Sequence, residues 1–310
     1  MALSGSKDFE LDVTEYIEEA FERCGLVMRT GYDLKTAKRS MNLLFADWAN
    51  RGLNQWTIEQ VSITLADGIA EYPAGTLTMT VGATASFSVA ETITGGTSGA
   101  TASITSKPSS TSLAITIPSG TFTSGETITG GTSGATTTVS AAVSFQNVQS
   151  TIDILASAVR RDNTDYNIQR ISRGDYLGIP NKTTKGRPSQ IFVDKQITPK
   201  ITLWPTPENN TDIIIFDRLV RIDDADNYID TLQMPFRFYP ALSAGLAYYL
   251  SMKKAPDRVT LLKSIYDDEI ANLMLAKKPE INKKLIKEGL DPITDFSTQL
   301  SQEQINALKP

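Results

Sequence analysis

The densest group of carboxylates in the sequence is Asp223, Asp224, Asp226 and Asp230, and oxygen ligands at that spacing suit calcium or magnesium. The glycine that lets a calcium loop turn sharply and the glutamate that closes it are both missing, so the run reads as a solvated turn. Acid–base hydrolysis would need two carboxylates with separated pKa values, and no spacing along the chain singles out such a pair. Cys24 is the only cysteine, and the chain has no histidine. That composition excludes an intrachain disulfide, Ser-His-Asp and Cys-His machinery and His-ligated metal, and it makes Cys24 a small packing residue rather than a nucleophile. Two GGTSGAT segments, at 95–101 and 130–136, share only their glycine content with phosphate loops. They lack the Lys-Ser or Lys-Thr that follows such a loop and stand between strand-like residues. No catalytic residue, metal ligand or cofactor is assigned.

The strongest chemical signal is basic. Arg160, Arg161, Arg170, Arg173, Lys182, Lys185 and Arg187 face only Asp162, Asp165 and Asp175 within 28 positions, in a chain whose net charge is −5. Tyr166 and Tyr176 are interleaved with them. Arginine forks in a long loop suit the carboxylates of a partner subunit or a sugar-phosphate backbone, and a solvated loop is the plainer reading. The acidic whole argues against a sequence-specific DNA binder.

Hydrophobic periodicity indicates the elements that carry these residues. Asp12 and Glu15 form a capping box ahead of the stripe Val13, Tyr16, Ile17, Ala20 and Phe21, with Leu11 and Tyr16 placed as a staple and Gly25 as the stop. A second helix after Gly31 carries Leu34, Ala37, Met41, Leu44, Phe45 and Trp48 and ends at Gly52. From Trp56 the period becomes two, through Val61, Ile63 and Leu65, and Asp67-Gly68 reads as a hairpin turn before Ile69 to Tyr72. Ile191–Val193 and Ile201–Leu203 read as a hairpin pair, and Thr211–Phe216 as a further strand. Helices return at Pro235, with Phe238, Leu242, Leu246, Tyr249 and Leu250, and again after Asp257 as N-cap, with Val259, Leu262, Ile265, Tyr266, Ile270 and Leu273.

Between these sets of strands the composition changes abruptly. From Thr78 to Gln146 the only charges are Glu91, Lys107 and Glu126, and ETITGGTSGAT occurs twice, beginning at Glu91 and again 35 residues later at Glu126. Ile93, Ile104, Leu113, Ile115, Ile117, Phe122 and Ile128 return at positions a sheet can bury, which favours a repeated strand, Gly-Gly turn and strand unit over a low-complexity linker. The expected fold class is α+β: a helical bundle formed from both chain ends, a central β region and an inserted β-rich repeat module. The expected domains are a discontinuous core at 1–77 and 147–290, the module at 78–146 and an extended tail at 291–310. That tail offers Ile293, Phe296, Leu300, Ile305 and Leu308 as anchors for a partner's groove. No apolar run approaches the ~18 residues of a membrane span, and no signal peptide is evident at the N-terminus.

From Ile168 to Trp204 the sequence resembles the head-to-tail adaptor, or head-completion, proteins of short-tailed bacteriophages. The likeness rests on the segment of Arg170, Arg173 and Tyr176, on the Gly186-Arg187-Pro188 turn into a strand, and on Leu203-Trp204-Pro205 followed by Pro207. Leu232–Pro235 leading into the tyrosine-rich helix 242–250, Ala46–Leu53 and the Tyr72-Pro73-Ala74-Gly75 turn also look like that family, over roughly 11–77 and 147–280. The resemblance implies a non-enzymatic virion protein with no cofactor. Such a protein forms a closed homo-oligomeric ring, typically of about twelve copies, beneath the portal at the head–tail junction, and passes through the host cytoplasm during assembly. Its implied partners are its own copies, the portal protein, the tail nozzle protein and passing double-stranded DNA bound without sequence specificity. The repeat module departs from that family's core, and the roles open to it are decoration of the ring's outside or contact with a tail fibre or nozzle protein. Interface residues expected on this basis are Arg160, Arg161, Arg170, Arg173, Tyr176 and Arg187, with Phe296, Leu300, Ile305 and Leu308 of the tail. The competing class is a virion-associated cell-wall or glycan hydrolase using paired carboxylates.

Overall fold

The computed structural model describes residues 9–29 and 31–275. Two helices, α1 (Val13–Arg23) and α2 (Gly31–Asn50), precede β1 (Ile58–Thr64), β2 (Glu71–Pro73), β3 (Thr78–Val81), β4 (Thr92–Gly95), β5 (Thr101–Ser109), β6 (Ser112–Ile115), β7 (Thr127–Gly130) and β8 (Thr136–Ser144). After the single turn α3 (Gln146–Gln149) come β9 (Thr151–Arg161), β10 (Thr164–Asn167), β11 (Gln169–Ile171), the short helix α4 (Arg173–Gly178), β12 (Gln190–Asp194), β13 (Lys200–Trp204) and β14 (Ile213–Val220). Helices α5 (Tyr239–Lys254) and α6 (Val259–Leu275) follow. The α+β fold expected from the sequence is present, with terminal helices flanking a β region in chain order. Contacts divide the chain into a helical unit, drawn from residues up to Trp56 and from Ile222 onward, and a β unit, Thr57–Arg221.

In the helical unit the Asp12–Glu15 capping box forms, and Val13, Tyr16, Ile17, Ala20 and Phe21 are the buried residues of α1. Gly25 and Gly52 take left-handed φ of 69° and 65° where α1 and α2 end, a conformation that costs glycine little. The two chain ends share one core. Trp48 is fully buried, donates its indole N–H to the Tyr266 hydroxyl at 3.0 Å and lies 5.9 Å from the Phe238 ring. Asp257 is not at the position that precedes α6: it lies inside a 3₁₀ turn, Pro256–Arg258, that runs directly into Val259. Ile265 is also not core, since it is exposed while Leu262, Tyr266, Ile270 and Leu273 are buried. The period of 3.6 places Ile265 at the stripe's edge.

In the β unit, one sheet has the order β1-β14-β9-β10 and a second the order β11-β12-β13-β2. Asp67-Gly68 therefore does not close a hairpin, because β1 pairs with β14 while β2 pairs with β13. Strands flanking a turn can each find a longer partner elsewhere, and local turn chemistry does not register that competition. The hairpin expected between Ile191–Val193 and Ile201–Leu203 is present as β12 and β13.

The inserted segment closes into a six-stranded barrel, β3-β6-β5-β4-β7-β8. Its two repeats are joined about the antiparallel pair β4 and β7, where Thr94 lies opposite Thr129, its own counterpart 35 residues on. The two glutamates brace each other's repeats. Glu91 accepts hydrogen bonds from the N–H groups of Ser88, Thr132 and Ser133 and from the Ser133 hydroxyl, at 2.6–3.2 Å. Glu126 accepts the corresponding four from Thr123, Thr97 and Ser98. Burial by itself would raise both carboxyls, but these donors override it, lowering Glu91 and holding Glu126 at about 2.

An unfolded glutamate titrates near ~4.3, so the Glu126 brace is fully present above that pH and is lost as pH falls toward 2. Glu126→Gln should cost ~1–3 kcal/mol of barrel stability at neutral pH, from donors left without an anionic acceptor. The gap between wild type and variant in urea melts should shrink steadily between pH 5 and pH 2. A gap independent of pH would contradict the brace.

Thr78 of β3 pairs with Ser144 of β8, so the chain enters and leaves the barrel at adjacent points. Excision of 78–144 with a short glycine linker should leave a helical unit that melts cooperatively. Loss of that transition in calorimetry would show that the barrel is needed for folding.

Candidate functional site

The basic segment is not the long loop expected. Arg160 and Arg161 end β9, and Asp162 and Asn163 make the turn to β10 with left-handed φ of 50° and 60°, as a two-residue hairpin turn requires. Arg170 lies on the edge strand β11, and Arg173 opens α4, whose Ser172–Asp175 capping box fixes its start. Alternating strand positions and a capped turn thus aim the guanidinium groups.

Most of these cations are seated on carboxylates of the same chain. Arg160 makes a two-pronged pair with Asp165, at 2.7 and 2.9 Å. Arg161 grips the buried Asp212 at 2.7 Å and also reaches Glu208 at 2.9 Å. Hydrogen bonds from Arg161 to Asp212 raise the guanidinium's pKa further, against the effect of burial. Arg170 and Lys195 share Asp153, at 2.9 and 2.8 Å. Burial would raise that carboxyl, but Lys195, Arg170 and the Ile154 N–H hold it below the usual carboxylate range. Arg173 holds Asp194 at 2.6 Å with its own side chain 63% exposed and that of Asp194 only 7% exposed.

The aromatic residues order the same surface. Tyr176 stacks on Phe192 with centroids 5.3 Å apart, Lys182 sits 5.3 Å above the Tyr176 ring, and Arg187 lies 3.7 Å from the centroid of Tyr166. Arg160, Arg161, Arg170, Arg173, Tyr176 and Arg187 all fall within the β unit. Their carboxylate partners Asp153, Asp194, Glu208 and Asp212 carry no mark in the sequence, where they stand well away from the arginines they hold. Phe296, Leu300, Ile305 and Leu308 lie outside the described residues.

The remaining chemical candidates occupy structural positions. Cys24 is buried with its thiol donating to the Ala247 carbonyl at 3.3 Å, and burial pushes its pKa up, opposed by Arg258. In the aspartate run, the Asp230 carbonyl accepts from the Val13 N–H, its carboxylate accepts from the Asn227 N–H, and the Asp226 carbonyl accepts from Lys38. Among the described residues no group of three or more acidic or cysteine side chains is placed to hold a metal ion, and no helix is long and apolar enough to cross a membrane. No family model matches the sequence, and no curated protein does so.

Proposed function

We propose that this chain is a structural subunit of a short-tailed bacteriophage virion, a ring adaptor that seats beneath the portal, joins the capsid to the tail nozzle and continues the DNA channel. The observation that carries this reading is the ordered basic edge of the β unit. Arg160, Arg161, Arg170 and Arg173 are fixed by in-chain carboxylates while Arg173 stays largely exposed, so a second carboxylate can be met at a reduced entropy cost. A chain of net charge −5 has little general tendency to self-associate, which makes the exposed guanidinium groups of this edge, partly neutralised within the chain, the natural place for contact with its own copies or the portal. The order of helices, β region and helices agrees with what the resemblance implies. The barrel offers a tail fibre or nozzle protein a surface rich in exposed threonine, and the same basic edge serves passing DNA through phosphate contacts alone.

Arg170 and Arg173 serve nearly buried aspartates, so their removal mixes folding with binding. Arg160 pairs with an exposed aspartate and Arg187 with a ring, so Arg160→Gln with Arg187→Gln isolates the surface. This double variant should melt like wild type yet bind isolated portal rings about tenfold more weakly, with a reduced dependence on salt. Equal binding at low and physiological salt would reject the basic edge as the interface.

A further inference from the structure

The exposed face of α1 and the first turns of α5 enclose a groove of about 490 Å³ within the helical unit. Its floor is aromatic. Phe9 and Phe236 meet edge to face with centroids 6.4 Å apart, and Phe236 meets Tyr239 in the same way at 5.4 Å. Phe9 and Phe236 are nevertheless 62% and 68% exposed, which is a large apolar area to leave in water. The wall is acidic: Glu15, Glu18 and Glu22 recur at spacings of three and four and so line one side of α1. Arg23 is the one cation among the described lining residues, and it is paired with Glu19 at 2.7 Å.

An apolar floor with a carboxylate wall fits a segment that is both basic and apolar, and this chain contains one. Residues 277–290, outside the described residues, carry Lys277, Lys278, Lys283, Lys284 and Lys287 against Glu280 and Glu288. Ile281, Leu285, Ile286 and Leu290 are interleaved with them. The topology brings the chain back to the right end of the bundle. Helices α5 and α6 have 16 and 17 residues and form a hairpin through one 3₁₀ turn, so α6 travels ~25 Å back to the level at which α5 begins. The groove lies at that level, and position 277 is two residues past the end of α6.

We propose that residues 277–290 dock in this groove of their own chain, with their apolar side chains on Phe9, Phe236 and Tyr239 and their lysines against Glu15, Glu18 and Glu22. Tethering supplies an effective concentration in the ~mM range, so modest contacts suffice to hold the segment. Exposed ion pairs make the docking sensitive to salt. The inference does not depend on the portal reading.

The test uses the full-length chain. Carbodiimide cross-linking of an equal mixture of unlabelled and isotope-labelled protein should join Glu18 or Glu22 to Lys283, Lys284 or Lys287 within a single isotope species. Trypsin cleavage after those lysines should be about tenfold faster in a Glu18→Gln, Glu22→Gln double variant, whose exposed positions leave folding intact, as an unchanged melt would verify. Cross-links joining the two isotope species would put a second copy's segment in the groove and overturn docking within one chain. Absence of these cross-links, or cleavage rates unaltered by the substitutions, would overturn the groove as the site.

Discussion

Trp48→Ala should lower the stability of the helical unit by ~3–5 kcal/mol, the range for removing a fully buried large aromatic side chain. The indole stands between elements from opposite ends of the chain, with Phe45 and Phe238 beside it and the Tyr266 hydroxyl accepting its N–H. Truncation to alanine therefore leaves a cavity and also deprives the Tyr266 hydroxyl of its donor. Trp48→Phe restores much of the volume but not the donor, and should fall well short of the alanine variant. Denaturant melts followed by helical circular dichroism order the three proteins. A loss below ~1 kcal/mol for Trp48→Ala would mean that the two chain ends do not share the core described above.

Arg218→Ala should also be costly, ~2–4 kcal/mol, because it empties a buried side-chain site and leaves the Asn147 carbonyl and the Thr151 hydroxyl without their donor, whereas Glu59, with its side chain 54% exposed, returns to water. Arg218 on β14 is 1% exposed and reaches Glu59 at 2.6 Å, the Asn147 carbonyl at 2.6 Å and the Thr151 hydroxyl at 3.0 Å. The Asn147 side chain in turn accepts from the Thr76 N–H, and Thr151 donates to the Ala74 carbonyl, so one guanidinium ties together the two segments that lead into and out of the barrel. Gly75 makes room for it. A Cβ there would collide with the Arg218 Nη1 and crowd the Asn147 Oδ1 at 3.0 Å and the Asn147 carbonyl oxygen at 3.2 Å, so Gly75→Ala should also destabilise, and the two substitutions should be non-additive, since removing the guanidinium removes the closest of these contacts. Additive losses in a double-mutant cycle would show that Gly75 and Arg218 act separately.

What the sequence discloses is mainly local. The stripe of α1, its capping box and the glycine stops at Gly25 and Gly52 lie within a turn or two of one another, and periodicity and capping rules locate them. The repeat is visible because two identical stretches need no partner to be recognised. Pairing between distant segments leaves no such mark. Nothing near Asp67-Gly68 states that β1 joins β14 and β2 joins β13. The pairing of Arg161 with Asp212 or Arg173 with Asp194 depends on which strands become neighbours, and so a surface that reads as seven loose cations is partly neutralised within the chain. The glutamate braces stand between these cases. Glu91 and Glu126 are conspicuous as two of only three charges in a long uncharged segment, a signal that each has a specific task. That each serves the other's repeat requires the barrel to be closed.

Whether the chain forms the proposed ring on a portal is read by electron microscopy of the purified protein with and without isolated portal rings. The expected result is an added annular layer beneath the portal, in register with its subunits, pierced by a continuous central channel. Bare portal rings beside a chain that stays monomeric across low and physiological salt would contradict it.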